Sequence, residues 1–275
     1  MKSIDIYRMM VRKHLLVMLR YPIEFVTSFA QIFIIIVMFT LATTMFSLGG
    51  PGVLGQGGES RVGAVMMYGF VIFMFTSDIL WTIGYSIRDE QYQGTLESLY
   101  LTPASKFASL VSRVTTIIVW TGSLTIVAVL FTQFFLGRLP FHNPALAAYI
   151  LLMTILGLLG VGFAFAGYTL IVKESAQAMA NLLQFALMIL CGMFFPFSSL
   201  PSQILPLTRL IPISYAVDVF RSALMGFPTG FPELASAESE VLIVSLFGIL
   251  APLFGYWVYR RTEHRVRMEG SLADF

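Results

Sequence analysis

RDEQYQGTLESLYLTPASKFASLVSR, residues 88–113, is a polar interruption between two long apolar runs. Gly94 permits a sharp turn within it, because glycine adopts a left-handed backbone conformation without a steric penalty. Thr95 can then cap a short helix, and Glu97 falls in the first turn of that helix, where the helix dipole favours a negative charge. The stretch therefore predicts a turn followed by a short helix.

This predicted helix has one apolar side. Leu96, Leu99 and Tyr100 follow one another at three- and four-residue spacing, so their side chains share a face. Thr102 and Pro103 end this helix and begin the next, since threonine is a favoured cap and proline suits the first helical position. A short amphipathic helix between two apolar runs needs a surface to bind, and we expect a partner protein to provide it.

The composition of the chain places it in a membrane. Of its 275 residues, 57% are hydrophobic and only 12% are charged, and the mean hydropathy is +0.82. Soluble domains are about 45–50% apolar and about 25% charged, so this chain has more apolar surface than one soluble core can bury. We therefore predict an all-α polytopic membrane protein. The single cysteine, Cys191, excludes an intrachain disulfide.

Six apolar segments are long enough to cross a bilayer. We predict a surface helix over residues 1–21, a six-span transmembrane domain over 22–262 and a cytoplasmic tail over 263–275. The predicted spans cover about residues 23–48, 63–87, 114–137, 145–172, 178–197 and 241–259. The fourth span carries four glycines, which predict close packing against another helix: Gly157, Gly160, Gly162 and Gly167.

The amino-terminal segment carries a basic, two-faced pattern. Tyr7, Val11 and Leu15 recur at four-residue spacing, whereas Arg8 and Arg12 lie off that apolar stripe. This pattern is typical of an amphipathic helix that lies along the membrane surface. We expect these five residues to form an interfacial helix on the cytoplasmic side.

The segment between the fifth and sixth predicted spans is rich in proline. It is too apolar for an ordinary soluble loop and too interrupted to span a bilayer, so we expect short re-entrant or interfacial helices there. One of them is predicted over residues 215–225, with Asp218 and Arg221 paired at i, i+3. The candidate residues of this outer segment are Pro196, Pro212, Tyr215, Asp218 and Arg221.

Basic residues are distributed unevenly across the six predicted spans. Of the 17 lysines and arginines, 13 fall on the side of the two termini and of residues 88–113, and four fall on the other side: Arg61, Arg138, Arg209 and Arg221. The positive-inside rule therefore places both termini in the cytoplasm. We predict a multi-pass protein of the plasma (inner) membrane in which residues 88–113 are cytoplasmic.

No catalytic or cofactor site is evident in the sequence. The chain has no GxxxxGK[ST] motif, so we expect no ATP hydrolysis by this chain itself. Its three histidines fall in three separate surface segments, which argues against a metal site. Asp78 is the one acid well inside a predicted span, and intramembrane acids are often functional. We favour a structural role for it, because a proton relay normally requires several such groups.

Two motifs resemble those of a known family. Residues 88–105, RDEQYQGTLESLYLTPAS, are similar to a block with the pattern acid-x-x-x-G-T-L-E-x-L-x-x-T-P that follows the second span. Residues 194–201, FFPFSSLP, and 210–226, LIPISYAVDVFRSALMG, resemble the segment between the fifth and sixth spans. Both occur in the membrane subunits of type-2 ABC exporters, of the daunorubicin-resistance and nodulation lipo-oligosaccharide exporter kind.

The resemblance implies a permease subunit that moves an amphipathic drug, lipid or lipid-linked glycan outward. It implies a pair of permeases, made with a second copy or a homologous chain, and two copies of an ABC ATP-binding subunit that holds ATP and Mg²⁺. This chain itself would hold no cofactor and no metal, and we expect no nucleic acid partner. The resemblance also implies that the amino-terminal helix packs beside the residues that couple the permease to the ATPase. These implied coupling residues are Glu90, Gly94, Thr95, Leu96, Glu97, Leu99, Tyr100, Thr102 and Pro103.

Other classes of function remain open from the residues alone. An ion-coupled secondary transporter would use Asp78 as its intramembrane carboxylate. A membrane-embedded scaffold or lipid-processing enzyme is a third possibility, but an enzyme would need polar groups clustered at one membrane face, and the sequence shows no such cluster. A neighbouring gene that encodes an ATP-binding subunit would favour the exporter.

Overall fold

The computed structural model describes residues 8–9, 11–12, 16, 20, 22–48, 58–92, 106–136, 139–172 and 175–268. Every regular element in these ranges is helical and none is a strand, which confirms the prediction of an all-α protein. A 3₁₀ turn covers Phe197–Ser199, and the α-helices of these ranges are α1 (Pro22–Leu48), α2 (Gly58–Tyr92), α3 (Lys106–Leu136), α4 (Pro144–Val172), α5 (Ala176–Leu190), α6 (Leu205–Leu210), α7 (Pro212–Met225) and α8 (Ala237–Met268).

Four of the described helices carry an apolar stretch long enough to cross a membrane. In α2, α3, α4 and α8 respectively, these stretches are Gly63–Thr82, Val114–Phe134, Pro144–Ile171 and Ala237–Val266. Shorter apolar stretches lie in α1, at Val26–Ile35, and in α5, at Gln177–Leu190. Helices of this length and composition agree with a chain that crosses the membrane several times.

Helix α5 is shorter than the span predicted for it. The helix ends at Leu190, whereas the apolar pattern predicted a span to residue 197, so the carboxyl end of that prediction is wrong. The backbone turns instead, because Gly192 adopts a left-handed φ of +54° and Pro196 has no N–H to continue a helix. A 15-residue helix is only ~22 Å long, which is less than the ~30 Å hydrocarbon core of a bilayer.

Helices α2 and α3 lie side by side and run in opposite directions. The Thr121 hydroxyl donates to the Asp78 carboxylate, and the Thr132 hydroxyl donates to the Met67 sulfur at 3.2 Å. Moving eleven residues back along α2, from Asp78 to Met67, therefore corresponds to moving eleven residues forward along α3. The two helices form an antiparallel hairpin, and residues 93–105 connect its ends.

Helix α5 also runs antiparallel to α2. Gln184 of α5 accepts a hydrogen bond from the Trp81 indole at 2.7 Å and donates to the Ser77 hydroxyl at 3.0 Å. Nearer the start of α2, Gly69 lies against Met193, just after the end of α5. The end of α5 is therefore beside the first part of α2.

Helices α4 and α8 run parallel to one another in close contact. A Cβ atom added to Gly160 would lie 2.1 Å from the Ala251 carbonyl, and one added to Gly167 would lie 3.1 Å from the Tyr259 Cα. Residue numbers rise together along both helices, which fixes their parallel direction. The prediction that glycines of the fourth span permit close helix packing is confirmed at both positions.

These directions define two ends of the helical bundle. At one end, the Tyr68 hydroxyl near the start of α2 donates to the Pro140 carbonyl, between α3 and α4. Glu240, in the first turn of α8, lies beside Asp218 of α7 at the same end, since the two acids accept the N–H groups of the consecutive residues Ala235 and Leu234. We call it the Arg221 end, after the arginine of α7 described below. The opposite end holds the carboxyl end of α2, the start of α3 and the carboxyl end of α8.

Helix α7 is enclosed by the bundle rather than laid on its surface. Twelve of its 14 residues are buried, and α2, α4, α6 and α8 pack around it. At its carboxyl end, Gly226 adopts a left-handed φ of +79°. The backbone N–H groups of His142 and Asn143 donate to the Leu224 and Ala223 carbonyls at 3.0 and 3.2 Å. These bonds satisfy carbonyls that a helix end otherwise leaves without donors.

Candidate functional site

Most of the predicted coupling residues lie outside the described part of the chain. Glu90 belongs to the last turn of α2. In the amino-terminal helix, Arg8 and Arg12 are helical and exposed, and Val11 is half-buried. The predicted residues outside the described ranges are Tyr7, Leu15, Gly94, Thr95, Leu96, Glu97, Leu99, Tyr100, Thr102 and Pro103.

The α2–α3 hairpin fixes where the predicted coupling segment begins and ends. Helix α2 continues ten residues past its apolar stretch, from Thr82 to Tyr92, and α3 begins eight residues before its own stretch, at Lys106. At ~1.5 Å per residue, these extensions are ~15 and ~12 Å long. Residues 93–105 are therefore attached to a helical hairpin that continues past the apolar part of the bundle.

Asp78 belongs to a set of polar contacts that joins three helices. Its carboxylate accepts a hydrogen bond from the buried hydroxyl of Thr121 in α3. Its neighbour Ser77 and the nearby Trp81 both bond to Gln184 of α5. Asp78 thus has the contacts of a residue that holds helices together.

Arg221 ranks first in volume among the fully buried side chains of the described residues. Its guanidinium donates to three backbone carbonyls that follow α5: Gly192 at 2.6 Å, Met193 at 2.7 Å and Phe195 at 3.2 Å. Arg221 therefore supplies charge-assisted donors to the buried carbonyls of the turn that follows α5. The arginine stabilises this turn inside the bundle.

Gly69 of α2 leaves the space that Arg221 occupies. A Cβ atom at Gly69 would lie 2.1 Å from Nη2 of Arg221 and 1.8 Å from the Met193 carbonyl oxygen. Close by, the rings of Phe73 and Phe194 pack with their centroids 5.1 Å apart, so α2 also covers the turn after α5. The guanidinium is held between α2, α7 and this turn.

Asp218 does not pair with Arg221 as the i, i+3 spacing predicted. Its Oδ2 accepts hydrogen bonds from the backbone N–H groups of Glu233 and Leu234, at 2.7 and 2.8 Å. No hydrogen bond joins the two side chains, because each bonds to backbone groups of another segment, although their opposite charges still interact. Burial raises the pKa of Asp218 to about 6, and the two N–H donors act in the opposite direction.

Two further acids belong to this site, and the sequence reasoning missed both. Oε1 of Glu240 accepts a hydrogen bond from the Ala235 N–H at 2.9 Å, and Oε2 of Glu233 accepts one from the Ser198 N–H at 2.5 Å. The signal for Glu240 is its place in the first turn of α8, where the helix dipole favours acids. Four residues form what we call the Arg221 cluster: Asp218, Arg221, Glu233 and Glu240.

The other predicted residues of the outer segment lie around this cluster. Pro196 precedes the 3₁₀ turn, and Pro212 is the first residue of α7. The Tyr215 hydroxyl donates to the Arg209 carbonyl at 2.9 Å on an exposed surface. The structure therefore brings the predicted proline-rich segment into one region, whereas Asp78 makes its contacts with α3.

The Arg221 cluster has the contacts of a structural joint rather than of a catalytic centre. Its charged groups bond to backbone groups of the turn after α5, of the 3₁₀ turn and of the loop over residues 233–235. Among the described residues, no group of three or more His, Cys, Asp or Glu side chains could hold a metal ion. The cluster joins α5, α7 and α8 at one end of the bundle.

Comparison with known proteins agrees with this helical architecture. No curated protein sequence matches the chain significantly. The family model for the ABC-2 type transporter matches residues 6–225, which is well over half of the chain. The matched region contains the α2–α3 hairpin and ends with the last residue of α7. The chain therefore belongs to the ABC-2 type transporter family.

Proposed function

We propose that this chain is the permease subunit of an ATP-driven exporter and that residues 88–113 couple it to a separate ATP-binding subunit. Membrane proteins of the ABC-2 family are transport subunits that normally work with such a partner. The observation that carries the coupling proposal is the α2–α3 hairpin, which continues past the apolar part of the bundle to residues 93–105. A connection attached there, with the apolar side that its sequence predicts, is suited to binding a groove of the partner.

We also propose that the chain has six spans and that residues 93–105 are cytoplasmic. The support is that the carboxyl end of α8 lies at the same end of the bundle as this connection. Both regions are basic, which the positive-inside rule associates with the cytoplasm. The arginines and lysines of the described helices at this end are Arg88, Lys106, Arg113, Arg260, Arg261, Arg265 and Arg267. At the Arg221 end, Arg221 itself is buried and bonded.

The cytoplasmic position of the amino terminus, in the plasma membrane, is a proposal that rests on the sequence alone. Helix α1 meets α3 where Phe29 and Phe33 pack on Phe131, with ring centroids 5.3 and 5.9 Å apart. Phe131 lies near the Arg221 end of α3, so this contact does not itself support a start of α1 at the opposite end. The domain limits at residues 1–21, 22–262 and 263–275 likewise stay predictions.

For the assembly, we propose two permeases and two ATP-binding subunits. ATP and Mg²⁺ would be held by the ATP-binding subunits, since this chain has no phosphate-binding loop motif. The second permease would be a copy of this chain or a homologous chain. The proposed cargo is an amphipathic drug, lipid or lipid-linked glycan moved outward, which follows from the exporter motifs in residues 88–105 and 194–226.

An ion-coupled secondary transporter is the alternative, and it predicts a different response at Asp78. In the exporter, we expect Asp78→Asn to leave transport within about a few-fold of wild type, because an amide oxygen still accepts the Thr121 hydrogen bond. The measurement is transport by vesicles with ATP, in the presence and absence of a proton uncoupler. Complete loss of transport in a correctly assembled variant, together with sensitivity to the uncoupler, would favour ion coupling.

The coupling proposal predicts that Gly94→Val and Glu97→Lys abolish export while the protein stays in the membrane. A β-branched residue in a left-handed turn costs about 1–3 kcal/mol, which would misdirect the predicted helix. Lysine in the first turn of that helix would oppose the helix dipole. The measurements are export and substrate-stimulated ATP hydrolysis by the complex, and we expect any remaining hydrolysis to ignore substrate.

Two matched variants serve as controls for this experiment. Gly122→Val places the same side chain on a glycine of α3 that has open space around it. Glu238→Lys makes the same charge reversal at an exposed acid in the first turn of α8. We expect both controls to keep substrate-stimulated ATP hydrolysis. Normal export by Gly94→Val and Glu97→Lys would refute the coupling role of this stretch.

A further inference from the structure

Two buried carboxyl groups of the Arg221 cluster are neighbours. Asp218 and Glu240 are both completely buried, and their carboxylates accept the backbone N–H groups of consecutive residues, Leu234 and Ala235, which brings the two acids side by side. Oδ2 of Asp218 and Oε1 of Glu240 already accept backbone N–H groups. The remaining oxygens, Oδ1 of Asp218 and Oε2 of Glu240, are buried and have no hydrogen-bond partner.

Two ionised carboxylates cannot form a hydrogen bond with each other, because each can only accept. Two like charges in contact in a buried site also disfavour ionisation of both groups. A single proton removes both problems, since a protonated carboxyl donates to the neighbouring carboxylate. We propose that Asp218 and Glu240 hold one proton between them, in a buried proton-binding site that joins α7 to α8.

The charge around the pair is consistent with a bound proton. Arg221 of α7 is the cation of the cluster, and Glu233 of the adjoining loop adds a third carboxylate. With one proton bound, the four groups carry a net charge of about −1, and without it about −2. Among the described residues, neighbouring elements also bring titratable groups to α7, including Tyr68 of α2, His142 before α4, Cys191 after α5 and Arg209 of α6.

A metal ion in place of the proton is disfavoured by the donors that are present. Backbone N–H groups donate to one oxygen of Asp218 and to one oxygen of Glu240. Their partly positive hydrogens occupy the positions at which a metal cation would bind those two oxygens. No set of described residues has the arrangement of a metal site. One buried oxygen on each of the two acids remains without a partner, and two oxygens are too few for a metal ion but sufficient to share a proton.

The bound proton makes the stability of the fold depend on pH in a defined direction. In an unfolded chain, both carboxyl groups are ionised above pH ~5. The folded chain then holds one proton more than the unfolded chain, so stability falls as pH rises. Burial raises the pKa of Asp218, which agrees with this direction. For one proton, the folded-to-unfolded ratio changes by up to about tenfold per pH unit.

The experiment is thermal unfolding of the purified full-length chain in detergent between pH ~5 and pH ~8. For the wild type, we expect Tm to fall by ~2–4 °C per pH unit, which corresponds to one linked proton in a chain of this size. Glu240→Gln should remove this slope, because the amide N–H₂ donates to Asp218 at every pH. A Glu240→Gln profile parallel to the wild-type profile would overturn the proposal.

Three controls separate the proposed pair from other sources of pH dependence. Glu238→Gln removes an exposed acid from the same turn of α8 and should keep the wild-type slope. His142→Gln should also keep it, and a flat His142→Gln profile would assign the slope to the imidazole instead. Millimolar Mg²⁺ or Ca²⁺ should leave the wild-type Tm at pH 8 unchanged, and a rise that Glu240→Gln abolishes would show a cation site in place of a proton.

If Glu240→Gln does not fold, infrared spectroscopy of an otherwise intact chain decides the matter. Asp78→Asn removes a half-buried acid that accepts a hydrogen bond from a neighbouring helix. In the Asp78→Asn protein at pH 7, we expect an infrared band from the carbonyl stretch of a protonated carboxyl group. This band should remain after the exposed groups have exchanged hydrogen for deuterium. Absence of this band would overturn the proposal.

Discussion

Arg221→Met is expected to remove most of the folded protein. The substitution removes the guanidinium donor from the carbonyls of Gly192, Met193 and Phe195 in a buried site. It also leaves Asp218 and Glu233 without the neighbouring positive charge. Removing one partner of a buried charged group costs about 3–5 kcal/mol, which is comparable with the whole stability of many domains, about 5–15 kcal/mol.

The measurement is the yield of monodisperse protein after membrane extraction, together with its Tm. Arg209→Met is the matched control, because Arg209 is exposed near the end of α6, and we expect its yield to equal that of wild type. Arg221→Lys should fall between the two, since one ammonium group cannot reproduce the planar fork that reaches three carbonyls. Equal yields for Arg221→Met and Arg209→Met would contradict the role assigned to Arg221.

Gly160→Ala is expected to have the second-largest effect, although it adds only one methyl group. The new Cβ would lie 2.1 Å from the Ala251 carbonyl, whereas ordinary contact begins at 3.4 Å. The neighbour is backbone rather than a flexible side chain, so α4 and α8 must separate along the line where Gly255 also faces Gly160. Overpacking of this kind costs about 1–3 kcal/mol.

Gly122→Ala is the control for this substitution. Gly122 lies in α3, and nothing approaches within 4 Å of the Cβ that alanine would add. Alanine favours a helix over glycine by about 1 kcal/mol, so we expect Tm of this variant to stay level or rise. A Gly160→Ala variant as stable as Gly122→Ala would show that α4 and α8 are not packed as closely as described.

The sequence predicted the general architecture because a membrane imposes simple rules on composition. Long apolar segments must be helical, since a bilayer offers no hydrogen-bond partners to the backbone. Helix α7 was predicted over residues 215–225, and it begins three residues earlier, at Pro212, which suits the first helical position, while Gly226 suits its left-handed end. The same pattern could not show that α7 is buried, since burial depends on which other helices surround it.

The contacts of the Arg221 cluster were not predictable from spacing alone. The i, i+3 rule pairs Asp218 with Arg221 on an isolated helix, but each side chain bonds to backbone groups from another part of the chain. Glu240 was missed because 22 positions separate it from Asp218 in sequence. The end of α5 at Leu190 was missed for the same reason, since Arg221, which stabilises the turn after it, lies far along the chain.

The central claim, that residues 88–113 couple this permease to an ATP-binding subunit, is tested most directly by crosslinking from Ser98. The single native cysteine, Cys191, is fully buried, so a cysteine at Ser98 would be the reactive one. The complex would be purified with its ATP-binding subunit, and a cysteine at exposed Ser236 would serve as the control at the Arg221 end. We predict a crosslink from Ser98 to the ATP-binding subunit and none from Ser236. A co-purified ATP-binding subunit that crosslinks to Ser236 but not to Ser98 would contradict the account.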